Sequence, residues 1–165
     1  PHPLWGREAL TDEQKKNIVY ETYAGYRKDF PAVKELSPKE AMALVKSGRK
    51  VVFVDTRKPE EMQVSMLPQA IAKKAFLNSG DKYRGYTVIS YCTISYRSGV
   101  FARDMSQKGF IIHNLAGGIL AWTLEGGSVY DDNGETKRIH VYGSRWDYAP
   151  KGYDTVMFSL WQQLF

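Results

Sequence analysis

The residues with the most chemical promise are Cys92 and Arg97. Cys92 is the only cysteine in the chain. It follows the apolar run Tyr86-Thr87-Val88-Ile89-Ser90-Tyr91, and Thr93-Ile94-Ser95-Tyr96-Arg97-Ser98 leads from it into a helical pattern. Backbone amides in a short loop of this kind can turn inward and form an anion-binding nest. The helix behind adds positive partial charge, and Arg97 adds a full one. All three favour the thiolate over the thiol, and the same groups would hold an anionic substrate. A thiolate in such a cradle attacks electrophilic centres of oxyanions, with sulfur, phosphorus and arsenic all open. Against this stands the plain role of a lone cysteine as a small buried apolar residue. Its place at a strand end, with arginine five residues on, points toward chemistry.

A second segment, Asp55-Thr56-Arg57, follows the run Lys50-Val51-Val52-Phe53-Val54. Asp55 reads as a structural acceptor for loop amides or Arg57, because buried carboxylates are usually paired; a general base is the alternative. Arg57 could bind the anion or form a salt bridge. Tyr96 could gate the loop.

These groups must be carried by a parallel α/β sheet, whose ligands bind outside the carboxyl ends of its strands. The runs 50–55 and 86–91 are short and β-branched, as strands buried on both faces read. Residues 70–76 and 110–115 read as further strands, with His113 a satisfied strand residue and residues 78–85 a polar link. Helices are expected over 11–29 with a Thr11/Gln14 capping box, over 40–46 after the Ser37-Pro38 start, from Pro59 with Glu60 and Glu61 suiting the helix dipole, over 98–108, and from Gly117-Gly118 through Trp122. That glycine pair allows a tight strand-to-helix turn and lacks the spacing of a dinucleotide fingerprint. Asp132-Asn133-Gly134 signals a turn, and 138–142 could be a strand. The dense aromatics beyond, from Trp146 to Trp161, should bury as an extension wrapped on the domain, rather than serve as a nucleic-acid stacking platform.

The 165 residues, 43% apolar and 13% aromatic, suffice for one domain with a real core. The net charge of +5 is spread along the chain and favours anionic partners only weakly. One cysteine excludes an intramolecular disulfide framework, and three scattered histidines argue against a metal site. No apolar run approaches the roughly 20 residues that span a bilayer, and no signal-peptide pattern is present. The chain opens on Pro1-His2-Pro3, which is set aside from the fold argument. The cytoplasm is slightly favoured, with a removed N-terminal signal left open.

Four segments, in order, resemble the rhodanese family of sulfurtransferases. Val52-Phe53-Val54-Asp55-Thr56-Arg57-Lys58-Pro59-Glu60-Glu61 resembles the family's valine-aspartate-x-arginine segment with its later glutamate. Val64-Ser65-Met66-Leu67-Pro68-Gln69-Ala70-Ile71 is similar to its histidine-isoleucine-proline-glycine-alanine segment. Cys92 to Ser98 matches its active-site loop, and Leu115-Ala116-Gly117-Gly118-Ile119-Leu120-Ala121-Trp122 its glycine-glycine-x-x-alanine-tryptophan signature. The resemblance implies an α/β domain over 33–127 with a five-stranded parallel sheet flanked by helices. An N-terminal extension, mostly helix, would occupy 1–32, and an aromatic-rich C-terminal extension 128–165. It also implies a two-step transfer in which Cys92 takes sulfane sulfur from thiosulfate or a related donor as a persulfide and passes it to cyanide or a thiol. Arg97 and the loop amides of Thr93, Ile94, Ser95, Tyr96 and Ser98 would orient the anion, with Asp55 and Arg57 in support. No cofactor, metal or nucleic acid is implied; a persulfide-carrying protein is a further candidate partner.

The sequence departs from the family at Ser95, Gln69 and Met66. Many family loops have glycine where Ser95 stands, and serine at positive φ costs about 1 kcal/mol or takes another backbone shape; its hydroxyl could instead donate to substrate. Gln69 and Met66 should change a turn and its packing. Two other readings of the loop are a phosphatase or arsenate reductase and a non-catalytic binding module. Phosphatase loops of this kind place the arginine one position later, where Ser98 stands, and the shorter loop is better suited to sulfur. Retention of both Cys92 and Arg97 argues against the binding module.

Overall fold

The computed structural model describes residues 9–159 and 161–162; Pro1-His2-Pro3 lies outside them. The apolar runs form the expected sheet. Strands β1 (Glu35–Leu36), β2 (Val51–Asp55), β3 (Ile71–Ala72), β4 (Thr87–Tyr91) and β5 (His113–Leu115) pair in the order β1-β5-β4-β2-β3, every pairing parallel. Val52 to Asp55 and Val88 to Tyr91 are all buried, because helices cover both faces, as the continuous apolar pattern requires. One face packs Phe53, Ile89, Tyr91, Leu115 and Trp122. The other packs Val52, Val54, Val88, Phe76, Phe101 and Met105. Among the described residues no helix is long and apolar enough to cross a membrane.

Helices α1 (Asp12–Tyr26) and α2 (Pro38–Lys46) both begin with complete capping boxes, Thr11 with Gln14 and Ser37 with Glu40. The α1 pattern continues to Asp29 only as a tighter 3-10 turn. Helix α3 (Pro59–Val64) follows β2, and α4 (Lys73–Ser79) follows β3. The reading of 70–76 as one strand is therefore corrected. Only Ile71 and Ala72 pair with β2, and Lys73-Lys74-Ala75-Phe76-Leu77 turns helical, as its residue types prefer. Residues 80–83 of the expected link form a 3-10 turn. The strand read over 110–115 begins only at His113; Ile112 is buried in the second core cluster instead. His113 Nδ1 has no hydrogen-bond partner, so that residue is not fully satisfied.

The segments flanking the sheet domain close over it. Val19 and Tyr23 of α1 are buried in the main core. A hairpin of β6 (Val129–Asp131) and β7 (Gly134–Thr136) turns at Asp132-Asn133, and Tyr130 exchanges backbone hydrogen bonds with Met66. Strands β8 (Arg138–Val141) and β9 (Asp154–Met157) form a separate parallel pair. Lys15 Nζ donates to the Ala149 carbonyl at 2.7 Å, and the Lys151 amide to Asp12 at 2.9 Å, so the two flanking segments hold each other. Trp161 departs from the expected burial, being 71% exposed. Gln69 takes φ 53°, so the turn at this position keeps the left-handed shape that glycine reaches without strain.

Gly118 illustrates how tightly the sheet's carboxyl edge is built. It stands at φ +63°, and a Cβ added there would lie 2.4 Å from the carbonyl oxygens of both Cys92 and Thr93. Gly126 has φ +90° with nothing within 4 Å of a Cβ. Gly118→Ala should therefore cost about 3 kcal/mol in urea unfolding, against about 1 kcal/mol for Gly126→Ala. Equal losses would mean that the backbone contact at Gly118 is unimportant.

Candidate active site

The site forms where β2 and β4 end side by side, with Asp55 in register with Tyr91. Cys92 follows β4, and four residues later helix α5 (Tyr96–Ser106) begins. The helix starts two residues earlier than the expected Ser98, because Ser95 takes φ 75° and reverses the chain. Serine tolerates this conformation because its polar groups are satisfied. Its amide donates to Cys92 Sγ at 3.1 Å, its carbonyl accepts from Asn114 Nδ2 at 2.9 Å, and its hydroxyl donates to the Leu115 carbonyl. That last bond corrects the idea that the Ser95 hydroxyl serves the substrate: the side chain is fully buried and turned to β5.

The rest of the loop is equally fixed. The carbonyls of Cys92 and Thr93 accept from the amides of Ile119 and Leu120, at 3.0 and 3.3 Å, in the first turn of α6 (Gly118–Leu124). Ser98 Oγ lies 3.7 Å from Cys92 Sγ and 2.6 Å from Asn114 Oδ1. A hydroxyl has one proton, and the shorter contact takes it, so Ser98 braces β5 more than it serves the sulfur. Asn114, a residue that sequence reading did not single out, thus clamps both ends of the turn.

Asp55 and Arg57 form the buried underside. Arg57 Nε and Nη2 donate to the two Asp55 carboxylate oxygens at 2.9 and 2.7 Å, and Nη2 also donates to the Ser65 carbonyl. Both side chains are wholly buried. Burial pulls the Arg57 guanidinium down, but Asp55 outweighs this and holds it above its ordinary value. The Tyr91 hydroxyl donates to Asp55 Oδ2, and burial together with that carboxylate pushes its pKa well up. Of the alternatives for these residues, the structure selects the salt bridge for Arg57 and the paired acceptor for Asp55.

Arg97 is also engaged, by a residue absent from the sequence-based site. It donates to both carboxylate oxygens of Glu61 at 2.7 and 2.9 Å and to Thr93 Oγ1 at 3.2 Å. Glu61 is fully buried on α3, and the Lys58 amide donates to it at 2.8 Å. Burial pushes the Glu61 carboxyl up, but Arg97 and the Lys58 amide hold it below the ordinary carboxylate value. Burial draws Arg97 down, while Glu61 and the Cys92 sulfur raise it further than that. His140 of β8 stands 4.0 Å from Glu61, and burial lowers its pKa despite that neighbour. The sequence signals for Glu61 were its place in the acidic start of α3 and at the end of the segment that resembles the family's, and neither paired it with Arg97.

A pocket of about 210 Å³ opens onto Cys92. Cys92, Thr93, Ile94, Tyr96 and Arg97 line it from the loop, and Tyr26, Tyr142 and Trp146 line it from the flanking segments. Cys92 is only 2% exposed and stands in the lining of this pocket. Tyr96 donates from its phenol to Asp29 at 3.0 Å and packs edge-on against Tyr26, with ring centroids 5.1 Å apart. Of the sequence-predicted loop residues beside Cys92, Thr93, Ile94, Tyr96 and Arg97 therefore line the pocket, Ser95 reaches the sulfur by its amide and Ser98 stands behind it, both with side chains turned to β5. Among the described residues no cluster could hold a metal ion.

The Rhodanese-like domain model matches residues 37–125. The chain is 30% identical, over 130 residues, to the "Probable adenylyltransferase/sulfurtransferase MoeZ" of Mycobacterium tuberculosis; the match covers 72% of this chain and 33% of the relative. The chain thus spans about a third of that relative's length. It is 26% identical over 98 residues to the sulfurtransferase-named YtwF of Bacillus subtilis, covering 56% of this chain and 93% of YtwF. Its fold is similar to a crystal structure of a thiosulfate sulfurtransferase from Pseudomonas aeruginosa, with TM-score 0.53 and 20% identity over 82% of this chain and 26% of the other.

Proposed function

Because the chain belongs to the rhodanese-like domain family, we propose that it is a sulfurtransferase that carries sulfane sulfur on Cys92. The observation that carries this reading is the Ser95 amide directed at Cys92 Sγ, 3.1 Å away, at the first turn of α5 and at the inner end of a pocket that Arg97 also lines. A hydrogen bond to sulfur strengthens when the sulfur is charged. It therefore favours the Cys92 thiolate both as the nucleophile and as the group that leaves with the electron pair when an acceptor takes the outer sulfur. In the first step Cys92 Sγ attacks the outer sulfur of a donor such as thiosulfate. A new S–S bond forms, the donor's S–S bond breaks, and sulfite leaves with the bonding electron pair. In the second, a thiol or cyanide takes the outer sulfur and Cys92 is regenerated. Arg97 orients the donor and offsets charge on the leaving group, while Glu61 and Thr93 fix its guanidinium. Asp55 and Arg57 take no part in bond making; they hold the ends of β2 and β4.

The names of MoeZ and YtwF support sulfur transfer as the class of reaction. The loop's length separates it from phosphoryl transfer. Arg97 follows Cys92 after four intervening residues, one position earlier than in phosphatase loops of this kind. Thiocyanate formation from thiosulfate and cyanide should be measurable, with parallel-line kinetics in the two substrates and negligible hydrolysis of an aryl phosphate. Aryl phosphate turnover as the faster reaction would replace this reading with the phosphatase one.

A further inference from the structure

Three of the eight residues that line the Cys92 pocket come from outside the segment that matches the family model, and all three are aromatic. Tyr26 comes from α1, Tyr142 directly follows β8 and Trp146 ends the turn after it, whereas the match runs over 37–125. Tyr26 links the two sides, with ring centroids 5.1 Å from Tyr96 and 6.3 Å from Trp146. The contacts that join the flanking segments, Lys15 to Ala149 and Lys151 to Asp12, hold this wall in place.

Size, wall chemistry and charge then constrain the occupant. Apolar cavities of roughly 150 Å³ accept a benzene ring, so about 210 Å³ leaves space for a ring and a small head group. Aromatic walls favour a flat apolar body, which stacks or meets them edge-on. At the inner end a single guanidinium, Arg97, is already bound through both nitrogens to Glu61. Its charge is largely offset, which suits a monoanion and disfavours a dianion such as thiosulfate.

We infer that the sulfur donor is an organic sulfane compound with a flat apolar body, of the R–SO₂–S⁻ or R–S–SH type, whose body lies between Tyr26, Tyr142 and Trp146. This rests on the sulfur-transfer reading and names its substrate class. The step balances without any added oxidant or reductant. The Cys92 thiolate attacks the outer sulfur, a Cys92 S–S bond forms, the donor's S–S bond breaks, and R–SO₂⁻ or R–S⁻ leaves with the electron pair.

Benzenethiosulfonate, methanethiosulfonate and thiosulfate separate body from head group, the first two sharing the same reacting atoms and charge. The full chain should load sulfur from benzenethiosulfonate with kcat/KM at least tenfold above that for either other donor. In Trp146→Ala and Tyr142→Ala, the ratio of benzenethiosulfonate to methanethiosulfonate kcat/KM should fall at least tenfold. Should those variants fold poorly, product inhibition of the unaltered protein decides: benzenesulfinate should compete with donor at least tenfold more tightly than methanesulfinate. Equal use of the three donors, an unchanged ratio in folded variants, or equal inhibition by the two sulfinates would overturn the inference and leave sulfur transfer standing. Failure of Cys92 to load from any of the three would overturn both.

Discussion

Cys92→Ala should abolish sulfur transfer, with a loss of at least about 10³-fold in thiocyanate formation, while the protein remains folded. The size of the loss follows from the role: the covalent carrier is gone, and no second cysteine exists in the chain to replace it. Retention of the fold follows from the surroundings. Cys92 is buried, but the shape of its turn is set by backbone contacts, from Ile119 to its carbonyl and from Asn114 to Ser95. Removing one sulfur atom from this place should cost about 1 kcal/mol. Cys92→Ser should be as inactive, since an alkoxide cannot carry a sulfane sulfur in exchange, and it keeps the polar partner for the Ser95 amide. Thiocyanate formation by either variant at more than a few per cent of the original rate would remove Cys92 from the mechanism.

Asp55→Ala should produce the largest loss of stability, roughly 3–5 kcal/mol in denaturant unfolding. The variant leaves the wholly buried Arg57 with only the Ser65 carbonyl as partner and strips the Tyr91 hydroxyl of its acceptor. A typical domain has about 5–15 kcal/mol in total, so the variant would sit close to the threshold of folding. The physical claim is that the cost arises from an orphaned charge rather than from a lost attraction. Replacing both partners, as Asp55→Leu with Arg57→Met, should therefore recover a large part of the loss. A double variant as unstable as Asp55→Ala would show that the pair's geometry, and not charge burial, matters.

The contrast between these two sites also explains what could be read from the sequence. Strands β2 and β4 are announced by Val51-Val52-Phe53-Val54 and Thr87-Val88-Ile89, because strands covered on both faces need apolar residues throughout. Short edge elements carry no such signal. Ile71-Ala72 is two residues of ladder, and only its pairing with β2 distinguishes it from the helix that follows. The Cys92–Arg97 loop was legible because its chemistry lies within six consecutive residues. Glu61, Asn114, Tyr26, Tyr142 and Trp146 were not, since each meets the loop from a distant part of the chain and only the fold brings them together. Ser95 shows the same limit in one residue. Its type predicted a strained or altered turn, whereas bonds from Asn114 and to Leu115, 19 and 20 residues away in sequence, make the left-handed conformation acceptable.

The engagement of Arg97 by Glu61 changes the picture of the site as well. A free guanidinium would make the loop a general anion trap. A guanidinium fixed at both terminal nitrogens is instead a directional group with most of its charge offset, and on the proposed reading it would position one donor head in line with the sulfur. On the proposed reading, specificity would then pass to the aromatic wall of Tyr26, Tyr142 and Trp146.

The most direct test of Cys92 as the sulfur carrier is the intact mass of the protein after brief incubation with thiosulfate or benzenethiosulfonate and removal of the donor. The account predicts a gain of one sulfur atom, mapped to the peptide containing Cys92 and lost on addition of cyanide. A protein whose mass is unchanged by every donor, or whose added sulfur cyanide cannot remove, would contradict it.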